Sequence, residues 1–217
     1  MRIVPLLPST SDPLPWVPFP AVELAWAGGS HPGWAGSRPT FSQVHALHLA
    51  QQPWGPVLGE TALAALRAVP GVDFLILAAP EPRDRSQASA FLTVLEGLLE
   101  VAQGQGFKLA LRPAPGAAPT LVRHLREARG AAVGFCWDPQ VAGDLDCISD
   151  RLFCAVGAPE DDFRPIQRLG YRWNLAMPAV DPGAFLEARD RVARAFPPVL
   201  FPDQSEGGGD APGEGHP

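Results

Sequence analysis

The stretch that decides the fold opens with Phe74-Leu-Ile-Leu-Ala-Ala-Pro80 and closes with Ala131-Ala-Val-Gly-Phe-Cys-Trp-Asp138. The first run is short, apolar and ended by proline, which predicts a buried strand. From Ser86 to Gln103 the apolar residues Phe91, Leu92, Leu95, Leu98, Leu99 and Ala102 recur at helical spacing, and Gly104 and Gly106 stop that helix. Phe107 to Pro113 forms a second strand, Pro119 to Gly130 a second helix, and Ala131 to Asp138 a third strand with an acid at its carboxyl end. Strand, helix, strand, helix, strand with short connections means parallel strands joined by right-handed crossovers.

The same alternation extends outward. Strands are expected at Arg2 to Leu7, Ala21 to Trp26, Val44 to Ala50, Arg151 to Gly157 and Tyr171 to Met177. Helices are expected at Thr61 to Val69, Asp162 to Leu169 and Pro182 to Phe196, with one or two turns within Val141 to Ser149. Ser9 to Pro20 and Ala27 to Ser42 are rich in proline and glycine and cannot form normal helices, because an interior proline removes a hydrogen bond and clashes with the preceding turn. Side-chain parity supports closure into a barrel. Ala21, Glu23 and Ala25 share one face of their strand, Ala46, His48 and Ala50 another, and Gly134, Cys136 and Asp138 a third. Small residues on the lumen side and large ones outside suit a barrel. The expected fold is an α/β class (β/α)8 TIM barrel over residues 1–201, lean because its first one or two helices are replaced by Pro/Gly-rich loops. A doubly wound open sheet is the alternative, but no GxGxxG or Walker loop marks a switch point. Residues 202–217 are Gly-rich and acidic and are expected to be a disordered tail.

The 217 residues fall short of the roughly 250 typical of such barrels. A formal charge of −6, with Lys108 the sole lysine, argues against a nucleic-acid partner. Arg123, Arg126 and Arg129 line up on one helix face and read as a solvated surface. Cys136, Cys147 and Cys154 show no CxxC spacing and fit buried thiols in a reducing cytoplasm. The apolar run after Arg2 is broken by Pro5 and Pro8, unlike a signal peptide, and no run approaches the length of a membrane span. A cytoplasmic location without membrane partners is expected.

The order of a long helix with a glycine-bounded turn, Lys108-Leu-Ala-Leu-Arg112 and Val133-Gly-Phe-Cys-Trp-Asp138 resembles the middle of the xylose isomerase-like barrels. That superfamily includes sugar phosphate isomerases and epimerases and endonuclease IV type enzymes. The resemblance spans about residues 20 to 196. It implies a divalent metal held by acids and histidines at the strands' carboxyl ends, where it would stabilise enolate charge. Glu23, His48 and Asp138 match family positions. Arg112 stands where the fifth strand's glutamate is expected, Val141 where the histidine after Asp138 belongs, and Ala155 and Ala158 at a further histidine and acid. Near Ala176 to Pro178 no acid closes the set.

The resemblance therefore implies a degenerate member with no metal and no other cofactor. Glu23 and Asp138 are its candidate catalytic acid and base, and His48, Arg112 and Trp137 its candidate ligand-binding residues. Plainer roles compete. Asp138 before Pro139 could start a turn, and His48 could be a hydrogen-bonded core residue. Glu23 inside an apolar strand needs a partner in any case, and Arg112 is expected to meet both Glu23 and Asp138. Three functions follow. One is a barrel that binds a small polar or sugar-like molecule without family chemistry. The next is an isomerase or epimerase with Arg112 in place of the metal. The last is an interaction module using the tryptophan-rich N-terminal third. Trp16, Trp26, Trp34 and Trp54 all fall there, beside strands lacking helical cover, which suggests a homodimer through this region.

Overall fold

In the computed structural model, residues 1–35, 43–50, 54–127, 133–139 and 145–196 are described. The tail expected at 202–217 and the position of Val141 lie outside them. The strands are β1 (Arg2–Pro8), β2 (Ala21–Ala25), β3 (Gln43–Leu49), β4 (Phe74–Ala79), β5 (Lys108–Pro113), β6 (Val133–Trp137), β7 (Leu152–Val156) and β8 (Asn174–Pro178). Each pairs in parallel with its sequence neighbour, and β8 pairs with β1, closing an eight-stranded barrel. Helices α1 (Pro32–Ala35), α2 (Pro56–Ala68), α3 (Arg85–Gln105), α4 (Ala118–Glu127), α5 (Leu145–Ile148), α6 (Arg164–Arg168) and α7 (Pro182–Ala195) occupy the connections.

Local chemistry sets the element ends. Asp84 caps α3 by accepting from the Gln87 N–H at 2.9 Å, and Gly106 ends the helix at φ 78°, a left-handed turn that glycine adopts without cost. Asp181 caps α7 in the same way. Two boundaries depart from expectation. Helix α2 begins at Pro56 rather than Thr61, because proline in the first turn brings a helical φ and its missing N–H would have had no helical partner. Strand β8 begins at Asn174 rather than Tyr171. The Tyr171 hydroxyl folds back to donate to the Asn174 carbonyl at 2.6 Å, so the chain turns there before the ladder starts.

Two apolar layers follow from strand parity. The lumen holds Val4, Ala21, Ala46, Phe74, Ile76, Ala110, Cys136, Cys154, Val156 and Ala176. Leu24, Leu47, Leu75, Leu77, Leu109, Leu111, Phe135 and Leu175 point outward into the layer beneath the helices. The expectation of small residues inside holds for the alanines and cysteines but fails towards the amino-terminal end. There the Phe74 and Phe153 rings, 6.1 Å apart, fill the lumen. The half-buried Phe153 packs against the inner layer next to a register shift between β6 and β7.

The N-terminal loops cover the strands that lack long helices. A 3-10 turn at Leu14–Trp16 sets Trp16 against Phe19 at 5.5 Å and against Phe185 of α7 at 6.3 Å. The Trp34 indole N–H donates to the Ser11 carbonyl at 2.8 Å, and that of Trp54 to the Pro80 carbonyl at 3.2 Å. All three rings are buried within one chain. Three of the four N-terminal tryptophans behind the homodimer expectation are thus covered by the chain's own loops, and Trp26 is half-buried.

Candidate functional site

The deepest polar feature of the barrel lies between β2 and β3. Ala25 pairs with His48 and Glu23 with Ala46, so both functional side chains face the lumen on neighbouring strands. His48 Nε2 and Glu23 Oε2 are hydrogen-bonded at 2.6 Å. Glu23 is 0% exposed and His48 4%. Each keeps one buried polar atom without a protein partner, Glu23 Oε1 and His48 Nδ1. Buried polar atoms are nearly always satisfied, so an unsatisfied acceptor and ring nitrogen on one pair mark a place for a further polar group.

Arg112 follows Ala110 on β5 and shares its inward parity. In such a barrel hydrogen-bonded partners drift by about one residue per strand relative to the axis. His48 registers with Ile76 and Ile76 with Ala110, two strands away. Two residues beyond Ala110 is Arg112, which therefore stands at about the level of His48. Electrostatics agree. The Cys154 thiol is raised well above its ordinary range chiefly by burial and then by the Cys136 thiol beside it, while Glu23 raises it further and Arg112 lowers it. All four groups share the lumen.

Among the described residues the Arg112 side chain is half-buried and belongs to none of the ion pairs or side-chain hydrogen bonds. The expected bridge from Arg112 to Glu23 and Asp138 is thus corrected. His48 is one strand from Glu23 and takes the carboxylate, whereas Arg112 sits three strands from it. Asp138 is half-buried just past the end of β6. Trp137 turns outward by parity and is fully buried 6.3 Å from Phe163 beneath the helices, with its indole Nε1 as a third buried polar atom without a protein partner.

The residues at and just after the seventh strand supply no ligand to the lumen. Ala155 belongs to the outer layer. Asp161 accepts from the Ala158 N–H at 2.6 Å, and Asp162 pairs with Arg164 at 2.7 Å. That guanidinium holds the Asp162 carboxyl down at about 2. Among the described residues no three His, Cys, Asp or Glu side chains converge as a metal site. Two arrangements escaped the sequence reading. His45 Nδ1 lies 2.9 Å from Asp73 Oδ2 near the amino ends of β3 and β4. The buried Tyr171 phenol is raised well above 10, first by desolvation and then by Cys154, Cys136 and Glu23. Neither was legible, because each depends on the pairing of strands far apart in the chain.

The larger hollows among the described residues lie elsewhere. One of about 700 Å³ runs between α2 and α3, is lined by Gly55, Gly59, Ser86, Thr93 and Gly97 among others, and has no charged lining residue. The second, about 250 Å³, lies by the Tyr171 to Trp173 segment that leads into β8. Neither holds the Glu23–His48 pair.

Compared with solved structures, the chain aligns over 89% of its length with 94% of a xylose isomerase domain protein from Planctomyces limnophilus, at a TM-score of 0.62 and 13% identity. The fold they share is the closed, parallel eight-stranded (β/α)8 barrel. An L-ribulose 3-epimerase aligns at a TM-score of 0.62 and 12% identity, with 90% of this chain and 93% of that one covered. The 3-keto-D-glucoside 4-epimerase from E. coli gives 0.59 and 16%, covering 89% and 98%. No family model matches the sequence, and no curated protein does. At such identities the likeness of the chain to these proteins is one of fold. No described helix is long and apolar enough to cross a membrane.

Proposed function

We propose that the chain is a sugar isomerase/epimerase-type barrel that has given up the divalent-metal centre and binds a small polar, sugar-like ligand at the carboxyl ends of its strands. The observation that carries this reading is the buried Glu23–His48 pair, whose Oε1 and Nδ1 atoms are unpaired while Arg112 stands on β5 at the same level. A hydroxylated ligand supplies the missing partners, a donor to the carboxylate oxygen and a donor or acceptor to the ring nitrogen. A divalent cation does not suit this set. It needs several oxygen or imidazole ligands converging on one point, and here a guanidinium approaches, one carboxylate oxygen is bound to imidazole, and Asp161 and Asp162 are engaged with the backbone and Arg164.

The same pair supports a catalytic version. A carboxylate held by a histidine and left with one free oxygen is placed to take a proton from a carbon next to a carbonyl. Arg112 would then face the developing oxyanion, with Asp138 as the second acid–base group.

Both versions are tested together. The purified chain is assayed for magnesium, manganese and zinc by elemental analysis, then titrated with ketoses and aldoses by calorimetry in the presence of EDTA. The proposal expects less than stoichiometric metal and sugar binding that chelation leaves unchanged. One equivalent of metal, with sugar binding abolished by EDTA, defeats it. For the catalytic version, exchange of a sugar carbon-bound proton with deuterated solvent is followed by NMR. Exchange abolished by Glu23→Gln supports it, and absence of exchange removes it.

A further inference from the structure

The hollow of about 250 Å³ beside β8 lies at the amino-terminal end of the barrel, where β7 and β8 begin. Leu152, Leu169, Tyr171, Arg172 and Trp173 are among its lining residues. Leu152 and Tyr171 are buried in its wall, but Trp173 is 63% exposed and Leu169 45%. Two large apolar side chains left open at one hollow mark an interaction surface, the more so when one is tryptophan. The volume falls below the roughly 300–1,000 Å³ of small-molecule sites, so it suits one or two side chains of a polypeptide. The chain itself supplies such a segment. It leaves α7 at Phe196, whose ring packs 5.5 Å from Phe163, the residue before α6, and α6 runs directly into Leu169. The chain continues past the described residues as Pro197-Pro-Val-Leu-Phe-Pro202, uncharged and apolar throughout, followed by Asp203 and Glu206.

We infer that residues 197–203 dock on this hollow within the same chain, with Phe201, the largest apolar side chain of the run, seated between Leu169 and Trp173. The segment then clasps the start of β7 and β8. Reach permits it. Leu169 lies six residues beyond Phe163, about 9 Å at the helical rise, whereas Pro197 to Phe201 spans about 15 Å in an extended, polyproline-like form. The two prolines hold that form beforehand, which lowers the entropy lost on docking. Composition agrees, because an uncharged run meets a wall of Leu152, Leu169, Tyr171 and Trp173. Charge agrees as well. Around the hollow Arg151, Arg168 and Arg172 outnumber Asp150, so the acids at 203 and 206 approach a basic rim. A tether this short keeps the segment at an effective concentration in the millimolar range, which a second molecule in dilute solution does not match.

The test is hydroxyl-radical footprinting of the full chain, read residue by residue by mass spectrometry, on wild type, Phe201→Asp and Leu169→Ser. Circular dichroism first establishes that both variants are folded. Trp173 is expected to be labelled about ten-fold more slowly in wild type than in Phe201→Asp, the size set by burying one large apolar side chain less the ordering of a short segment. Phe201 in turn should be protected in wild type and labelled faster in Leu169→Ser, which changes the hollow and not the segment. Equal labelling of Trp173 in wild type and Phe201→Asp overturns the inference, because the residue is then open in both or covered by something other than this segment. A wild-type protection that disappears on dilution, over the range where sedimentation shows a dimer dissociating, overturns it too and makes a second copy the occupant. Protection that is independent of concentration and lost in both variants supports the clasp.

Discussion

Glu23 and His48 meet at 2.6 Å in the barrel lumen with 0% and 4% of their surfaces exposed. Removing one partner and not the other would leave a polar group buried without compensation. His48→Leu is expected to destabilise the chain by about 3–5 kcal/mol, because it strands a buried carboxylate. Glu23→Leu combined with His48→Leu should recover much of that loss, since two apolar side chains of similar volume carry no desolvation cost. Urea denaturation of the two single variants and the double variant reads the coupling directly. Additive losses would mean that the pair is not coupled.

Tyr171 is the only tyrosine, and its buried hydroxyl donates to the Asn174 carbonyl at 2.6 Å. Burial, and then the nearby Cys154, Cys136 and Glu23, raise its phenol well above 10. The sign follows from linkage. The folded state holds the proton more tightly than the unfolded chain, so this contribution to stability is complete below pH 10 and is lost as pH rises above it. Absorbance at 295 nm should therefore show no tyrosinate while the chain is folded, and ionisation should coincide with alkaline unfolding seen by circular dichroism. Tyr171→Phe should cost about 1 kcal/mol at neutral pH. A smooth tyrosinate titration near pH 10 in the folded chain would contradict this.

Gly97 lies in the middle of α3, and a Cβ built on it meets nothing within 4 Å. No turn or close packing in the chain requires glycine there. Gly97→Ala is expected to raise stability by about 1 kcal/mol through helix propensity alone. Chemical denaturation measures it, and a lower midpoint would show that the groove between α2 and α3 depends on that open space.

The barrel was legible because β4 and β6 carry uninterrupted apolar runs and β5 an apolar centre between Lys108 and Arg112, punctuated by Pro80, Gly106 and Pro113, and because buried parallel strands show this signature. Strand parity also placed Glu23 and His48 on the lumen side, and the resemblance put Arg112 at the mouth. It could not say which of them touch. Parity is a property of one strand, whereas partnership depends on the stagger between strands far apart in the chain. That stagger set His48, not Arg112, against Glu23. Trp137 lies beneath the helices, on the outer side of β6, as the alternation of that strand requires. The aromatic filling of the lower lumen escaped because the register shift near Cys136 lets Phe153 pack against the inner layer out of step with Cys154 and Val156.

That same filling explains Gly134. A Cβ at this position would lie 2.2 to 2.5 Å from three carbons of the Phe153 ring, far inside contact distance. The ring has little freedom to retreat, with Phe74 6.1 Å away and the Lys108 ammonium 5.6 Å from its centroid. Gly134 is buried on β6 and registers with Ala110 of β5, so relief by backbone movement would disturb the ladder. Gly134→Ala is therefore expected to destabilise by about 1–3 kcal/mol, the usual cost of overpacking a core. Phe153→Leu alone should also destabilise, by loss of buried aromatic surface. Combined, the two should cost less than their sum, because the smaller side chain makes room for the added methyl. Urea midpoints of wild type, both single variants and the double variant close this cycle. Additivity, or a Gly134→Ala variant as stable as wild type, would mean that the ring is not held against the Gly134 backbone and that the lower lumen repacks freely.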